Sequence, residues 1–179
     1  MKHWLLDCYY ATIKTVYFAR SFVMEEKTNV MRVLDQKKIK YTRHHLDITE
    51  ALSGVEMAAM LNQDPSRVFK TLVTVGKTKA NYVFVIPVAE ELDLKKAAKA
   101  VGEKSIEMIK SKELLPLTGY VHGGCSPIGM KKSLKTTIHE TAKDFDTIMF
   151  SAGKIGYQVE MNVKDLEKLI RLTYANLVV

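Results

Sequence analysis

A lysine sits in the middle of the most strand-like stretch of this chain. Residues 67–75 read Arg67-Val68-Phe69-Lys70-Thr71-Leu72-Val73-Thr74-Val75. Strand alternation puts Lys70 on one face with Val68, Leu72 and Thr74, and Phe69, Thr71, Val73 and Val75 on the other. Both faces are apolar, so the strand is expected to be covered on both sides. Burying an unpaired ammonium is costly. Lys70 must therefore pair, run its stem out to water, or open into a cleft. A second group of residues runs Gly119-Tyr120-Val121-His122-Gly123-Gly124-Cys125-Ser126-Pro127-Ile128-Gly129. Gly123, Gly124, Ser126, Pro127 and Gly129 together demand an unusual backbone path. Such a loop is either a structural turn or a set of N–H groups offered to an anion or a carbonyl oxygen. The spacing of Gly124 and Gly129 is superficially that of a P-loop. However, Met130 precedes Lys131, no Lys-Ser/Thr pair follows, and Pro127 lacks an N–H, which excludes nucleotide hydrolysis. A third group, Ser151-Ala152-Gly153-Lys154-Ile155-Gly156, is a small-residue turn between two strand-like segments. A hairpin loop is its plain reading.

Other chemistry-bearing residues have weaker patterns. His44 and His45 are adjacent, so on a strand they point to opposite faces and cannot chelate one metal together. His3, His122 and His139 have no ligand-like spacing, and no carboxylate pair stands out for acid–base work. Cys8 and Cys125 are far apart, which reads as reduced thiols in a cytoplasmic protein. Cys125 lacks an evident base and orienting group for nucleophilic catalysis. No metal and no cofactor is expected. The net charge is +7, from 27 Lys and Arg against 20 Asp and Glu, which leans toward a polyanionic partner. Lys95, Lys96 and Lys99, and then Lys131, Lys132 and Lys135, form two basic clusters that suit phosphate contacts or a solvated face.

The elements that must carry these residues are short and mixed. Thr28 caps a helix with apolar positions Val30, Met31, Val33 and Leu34. Residues 41–46 read as a strand. Ser53 and Glu56 form a capping box for a helix whose apolar side is Met57, Met60 and Leu61. Residues 68–75 and 82–88 are the strongest strands, joined across 76–81 by a hairpin-type loop. Asp93 caps a helix that Gly102 stops after Val101. Further strands are expected at 106–109, 118–122, 147–150 and 155–161, with a short helix at 112–115 and a last helix from Asn162 to about Leu172. There is no regular βαβ alternation. The expected fold class is α+β: a mixed, mostly antiparallel, barrel-like sheet with flanking helices.

Residues 1–23 differ from the rest. They hold Trp4, Tyr9, Tyr10, Tyr17 and Phe18, while Asp7, Lys14 and Arg20 interrupt each apolar run, which fits neither a signal peptide nor a membrane span. Met24-Glu25-Glu26-Lys27-Thr28 reads like a natural start. The expectation is therefore an extension over 1–23, upstream of a start at Met24, and one domain over 24–179. The competing reading is an amphipathic segment that docks on the body or on a membrane surface. The extension's net +2 leaves +5 for the body.

The ordered set of segments resembles the YbaK/EbsC family of aminoacyl-tRNA deacylases, which includes the Cys-tRNA(Pro) deacylases. The match comprises Arg67-Val68-Phe69-Lys70-Thr71-Leu72, Val85-Ile86-Pro87-Val88, Glu91-Leu92-Asp93-Leu94-Lys95-Lys96-Ala97-Ala98-Lys99-Ala100, Thr118-Gly119-Tyr120, the loop from Gly123 to Gly129, and Ser151-Ala152-Gly153-Lys154. It spans about Thr28 to Leu172. The resemblance implies a barrel-like domain shared with the editing insertion of bacterial prolyl-tRNA synthetase. It implies trans-editing, that is, clearing cysteine from tRNA(Pro) in the cytoplasm, in transient complex with prolyl-tRNA synthetase and without a membrane. By the same resemblance Lys70 is the essential lysine that holds a phosphate or ribose at the acceptor end, and Thr71 lies in the same pocket. Gly123 and Pro127 belong to a loop whose backbone holds the aminoacyl carbonyl and the terminal adenosine. Gly124, Ser126 and Ser151 contact substrate. The implied mechanism uses the substrate's own thiol, which leaves positioning and oxyanion stabilisation to the protein. Clearing alanine with water, or binding tRNA or a synthetase without catalysis, are the alternatives. Gln158 stands where a well-known form has an aspartate, and no tyrosine aligns near Leu46. The reaction class thus carries over further than the choice of amino acid.

Overall fold

Local signals start most of the elements. The computed structural model describes residues 26–179, so the expectations for 1–23 and for a start at Met24 lie outside the described residues. The Thr28 hydroxyl accepts the Met31 N–H at 3.3 Å and starts helix α1 (Asn29–Gln36). Strand β1 (Tyr41–His45) follows. Ser53 and Glu56 make both reciprocal bonds of the capping box at the start of α2 (Gly54–Met60). Met57 faces the interior, while Met60, expected on the apolar side, is 56% exposed. One 3-10 turn (Pro65–Arg67) leads into β2 (Val68–Gly76), which turns back as β3 (Asn81–Pro87). The Asp93 carboxylate accepts from Lys95 and Lys96 N–H and starts α3 (Leu94–Val101), which Gly102 ends. Then come β4 (Ile106–Met108), α4 (Ser111–Thr118), β5 (Lys135–His139), β6 (Thr147–Ser151), β7 (Tyr157–Asn162), α5 (Val163–Leu169) and β8 (Leu172–Ala175).

The strand expected at 118–122 is not one. Thr118 ends α4, Gly119 turns left-handed, and the Thr118 hydroxyl donates to Leu114 O while accepting from Tyr120 N–H. Tyr120 is buried because its hydroxyl reaches Ile128 O at 2.5 Å, so it props the glycine-rich loop from inside. Helix α4 runs well beyond the expected 112–115 and contains Pro116. The last helix stops at Leu169, because Leu172 to Ala175 form β8 beside β5. Neither β5 nor β8 was legible in the sequence. Their pairings are parallel and distant along the chain, and β5 is half polar.

The sheet order is β1-β7-β6-β2-β3-β5-β8, with β4 on β2. The architecture is the expected mixed α+β, with four antiparallel ladders and three parallel ones. Its hydrogen-bonded path is open between β1 and β8 rather than closed into a barrel. Strand β3 is buried on both faces. Val83 and Val85 pack in the main core with α1 and α5, and Phe84 and Ile86 pack with Ala97 and Ala98 of α3. No helix among the described residues is long and apolar enough to cross a membrane.

One irregularity matters most. β2 pairs with β3 along one edge from Phe69 to Val75. Its other edge is shared: β6 covers Val68 and Phe69, and β4 covers Thr74 to Gly76. Between them the edge of β2 has no strand beside it, and Ile109 N–H alone bonds Val73 O, at 3.2 Å.

Candidate active site

That split in the sheet opens into a cavity of about 470 Å³. Lys70, Thr71, Gly123 and Ser151 all line it, so residues up to 81 positions apart converge on one space. Gly124, Ser126 and Pro127 do not line it. All three are buried behind Gly123 and Cys125, where they shape the loop.

Lys70 is half-buried, and its Nζ donates to Val88 O at 3.1 Å. Burial pulls its pKa below the ordinary lysine value, and the carboxylates of Glu91 and Glu90 oppose that shift. The ammonium is thus partly stripped of water, and among the described residues no carboxylate lies within ion-pair distance of it. Of the sequence alternatives, the opening into a cleft is the one the structure shows. Thr71 adds unmet polar groups. Its Oγ1 is buried without a hydrogen-bond partner among the described residues. Because Val73 O is turned toward β4, alternation turns the Thr71 backbone groups toward the same uncovered edge.

The loop wall depends on Gly123. Its φ is +78°, and a Cβ there would run into the Ala51 methyl, so only glycine fits both the turn and the contact. Gly124 N–H bonds Val121 O at 3.1 Å, and the Asn29 amide donates to Gly129 O at 3.3 Å. Within the described residues no hydrogen bond occupies the N–H groups of Gly123 and Cys125, both in the cavity wall. Burial pushes the Cys125 thiol up to about 12, so at neutral pH it is a thiol and not a thiolate. Across the cavity, the Ser151 hydroxyl accepts Gly153 N–H at 3.3 Å, and Gln158 stands opposite Ser151 in the β6–β7 ladder. Gln158 also lines the cavity and is mostly buried.

The apolar wall escaped the sequence reading. Leu52, Val55 and Met57 supply it from α2 and its approach, and Met108, Ile109 and Leu114 from β4 and α4. Apart from the Ser53–Glu56 capping box these segments carry no motif, and only the sheet topology brings them together. None of the six lysines of the two expected basic clusters lines the cavity, and Lys96 is spent on Val178 O and Asn176 Oδ1. His44 and His45 face apart as expected. His44 bonds Glu160 at 3.0 Å, and His45 packs on the Tyr157 ring.

Residues 49–169 match the aminoacyl-tRNA editing domain family. The chain belongs to that family. Over 138 residues it is 47% identical to a protein of Enterococcus faecalis named as a Cys-tRNA(Pro)/Cys-tRNA(Cys) deacylase, EbsC, covering 76% of this chain and 84% of that one. A solved structure described as a trans-editing enzyme for prolyl tRNA synthetase superposes with a TM-score of 0.74 at 23% identity, over 87% of this chain and 99% of that one. A second, a hypothetical protein designated APE2540, superposes with a TM-score of 0.76 at 18% identity, over 83% and 98%. These two likenesses show a common fold. The editing-domain match contains Lys70, Thr71, the Gly123 loop, Ser151 and Gln158, and every residue that lines the cavity lies inside the matched region.

Proposed function

We propose that this chain is an aminoacyl-tRNA deacylase that clears cysteine from tRNA(Pro) in trans. The observation that carries the reading is the half-buried Lys70 ammonium beside an uncovered strand edge in a cavity large enough for an aminoacylated terminal nucleotide. Lys70 would hold the anionic or hydroxyl-rich end of the nucleotide by a charge-assisted hydrogen bond. Thr71 and Ser151 would receive polar groups of the aminoacyl moiety. Gly123, with the backbone of Cys125, would supply N–H donors to the oxyanion, and Pro127, Gly124 and Ser126 would keep that loop in shape from behind.

The chemistry then needs no protein nucleophile. The cysteinyl sulfur attacks its own ester carbonyl, the tetrahedral oxyanion collapses, and the ester C–O bond breaks. The thiol proton ends on the ribose oxygen, which leaves a thiolactone and free tRNA. A thiol held at about 12 fits Cys125 as a neutral wall residue rather than a competitor for this attack. Selectivity for tRNA(Pro) would come from transient association with prolyl-tRNA synthetase.

The test is a deacylation panel with purified protein and tRNA(Pro) charged with cysteine, alanine, serine or proline, with products identified by mass. Fast loss of cysteine as the thiolactone is the expected result. Equal loss of alanine, or cysteine released directly as the free acid, would replace the thiol-assisted step with attack by water.

A further inference from the structure

Three consecutive-turn lysines crowd a hollow that the cavity chemistry does not use. The turn between α1 and β1 contributes Lys37, Lys38 and Lys40, and α5 contributes Lys168 and Asp165, around a cleft of about 280 Å³. Ile39 and Leu169 form its floor and pack against the main core, so the hollow is part of the fold. Asp165 is the one acid there, and it is bound to Lys168 at 2.6 Å. No carboxylate of the described residues lies within ion-pair distance of Lys37, Lys38 or Lys40. Lys38 is held at φ +56°, a conformation that a side-chain-bearing residue rarely adopts. Its N–H bonds Asp35 O at 3.0 Å, and Ile39 N–H bonds Leu34 O at 3.0 Å, which fixes the turn that presents the amines. Helices α1 and α5 both end beside the cleft, and the helix dipole favours a cation at each end. That accounts for one lysine per helix and not for three on a single short turn.

We infer that this lysine cleft is a second nucleic-acid site, one that takes the phosphodiester backbone of an RNA duplex beyond its 3′ end. The inference rests on the deacylase reading for the identity of the RNA. Its geometry follows from the β1–β7 ladder. His44 stands opposite Gln158 of the cavity wall, and Lys40 lies four residues earlier on the β1 side. At about 3.3 Å per residue, the cleft is about 13 Å along the ladder from that wall. That equals about four steps of a stacked strand at about 3.4 Å each. An RNA whose terminal nucleotide fills the cavity would thus bring backbone phosphates to the lysines. Contacts of this kind add affinity without sequence choice.

The experiment compares wild type, the triple variant Lys37→Gln/Lys38→Gln/Lys40→Gln, and a charge-matched control, Lys77→Gln/Lys79→Gln/Lys104→Gln. Two probes are used: an acceptor-stem hairpin RNA with a free 3′ end, titrated from low to moderate salt, and a short single-stranded oligonucleotide carrying a 3′ cysteinyl ester. For the hairpin, the slope of log K against log salt should fall by roughly one per lysine, so by about 3 in the triple variant, and stay unchanged in the control. Turnover of the short ester should stay within about twofold of wild type, since it is too short to reach the cleft. Hairpin binding that is equal in the two variants, or absent in wild type at low salt, overturns the second site. Loss of short-ester turnover in wild type overturns the deacylase reading instead, so the two failures are told apart.

Discussion

At the scale of single residues, the account turns on Lys70. Its charge is partly desolvated, so removing it should relieve the fold while damaging the site. Lys70→Met is expected to melt at or above the wild-type temperature and to lose deacylation by about 10- to 100-fold, the worth of a hydrogen bond to a charged group at about 1.5–3 kcal/mol. The pH dependence has a defined sign. The folded-state pKa lies below the ordinary lysine value, so the charged form costs stability below it, and that cost fades as pH rises toward the unfolded value. Rate enhancement over the spontaneous reaction should decline as pH rises through the same folded-state pKa, and Lys70→Arg should remove that alkaline decline. Cys125 offers the contrast. Held as a thiol by burial, it should alkylate slowly at neutral pH, and Cys125→Ala should keep its activity. A folded but inactive Cys125→Ala would sink the substrate-thiol mechanism. Lys70 was legible in the sequence because a charge in a two-faced apolar strand has few explanations. The orphaned Thr71 hydroxyl was not, since it depends on which strand is missing beside it.

At the scale of elements, the site is held by joints rather than by a single helix or strand. Arg67, Thr147, His44 and Glu160 tie the 3-10 turn, β6, β1 and β7 together next to the cavity. Arg67 bonds both Glu160 and Thr147, the Thr147 hydroxyl reaches Glu160 at 2.7 Å, and His44 reaches it at 3.0 Å. Burial pushes the Glu160 pKa up, and the Thr147 and His44 hydrogen bonds with the Arg67 charge outweigh it, so the net shift is downward. Its contribution to stability is therefore present above the usual glutamate range and is lost as pH falls through the folded-state value. Glu160→Gln should cost about 2 kcal/mol in denaturant melts and flatten that acid limb. The carboxyl end is a second joint. Leu177 is fully buried, its N–H bonds His139 Nδ1 at 3.1 Å, and its carbonyl accepts Asp93 N–H at 2.8 Å. Val179 N–H bonds Glu91 O, so this strap braces the segment after β3 whose Val88 carbonyl receives Lys70. Leu177→Ala should cost about 2–5 kcal/mol by the cavity it leaves. Caps and hairpins announced α1, α2, α3, β2 and β3 in the sequence, because those signals are local. The joints, the parallel strands β5 and β8, and the turn at 118–122 were not announced, because partners far along the chain decide them.

At the scale of the whole molecule, the net charge is +7, and among the described residues Lys70 is the one lysine or arginine that lines the cavity. The two clusters that stood out in the sequence line neither the cavity nor the cleft, while the lysines of the α1–β1 turn drew no notice there because no motif marks them. Charge at this scale raises encounter rates and fades with salt, so turnover of full-length aminoacyl-tRNA at low substrate should fall steeply with ionic strength, and turnover of a short ester should hardly change. On the proposed reading, selection of the ester would belong to the split in the sheet, where β4 and β6 part and leave one strand edge and one lysine uncovered. The most direct measurement of that claim is the decay of Cys-tRNA(Pro) with wild type and with Lys70→Ala, in parallel with a no-enzyme control. The account predicts rapid release of thiolactone by wild type and at least a tenfold loss in a Lys70→Ala protein whose melting temperature is maintained. Equal rates for the two proteins, or a wild-type rate no faster than the control, would contradict it.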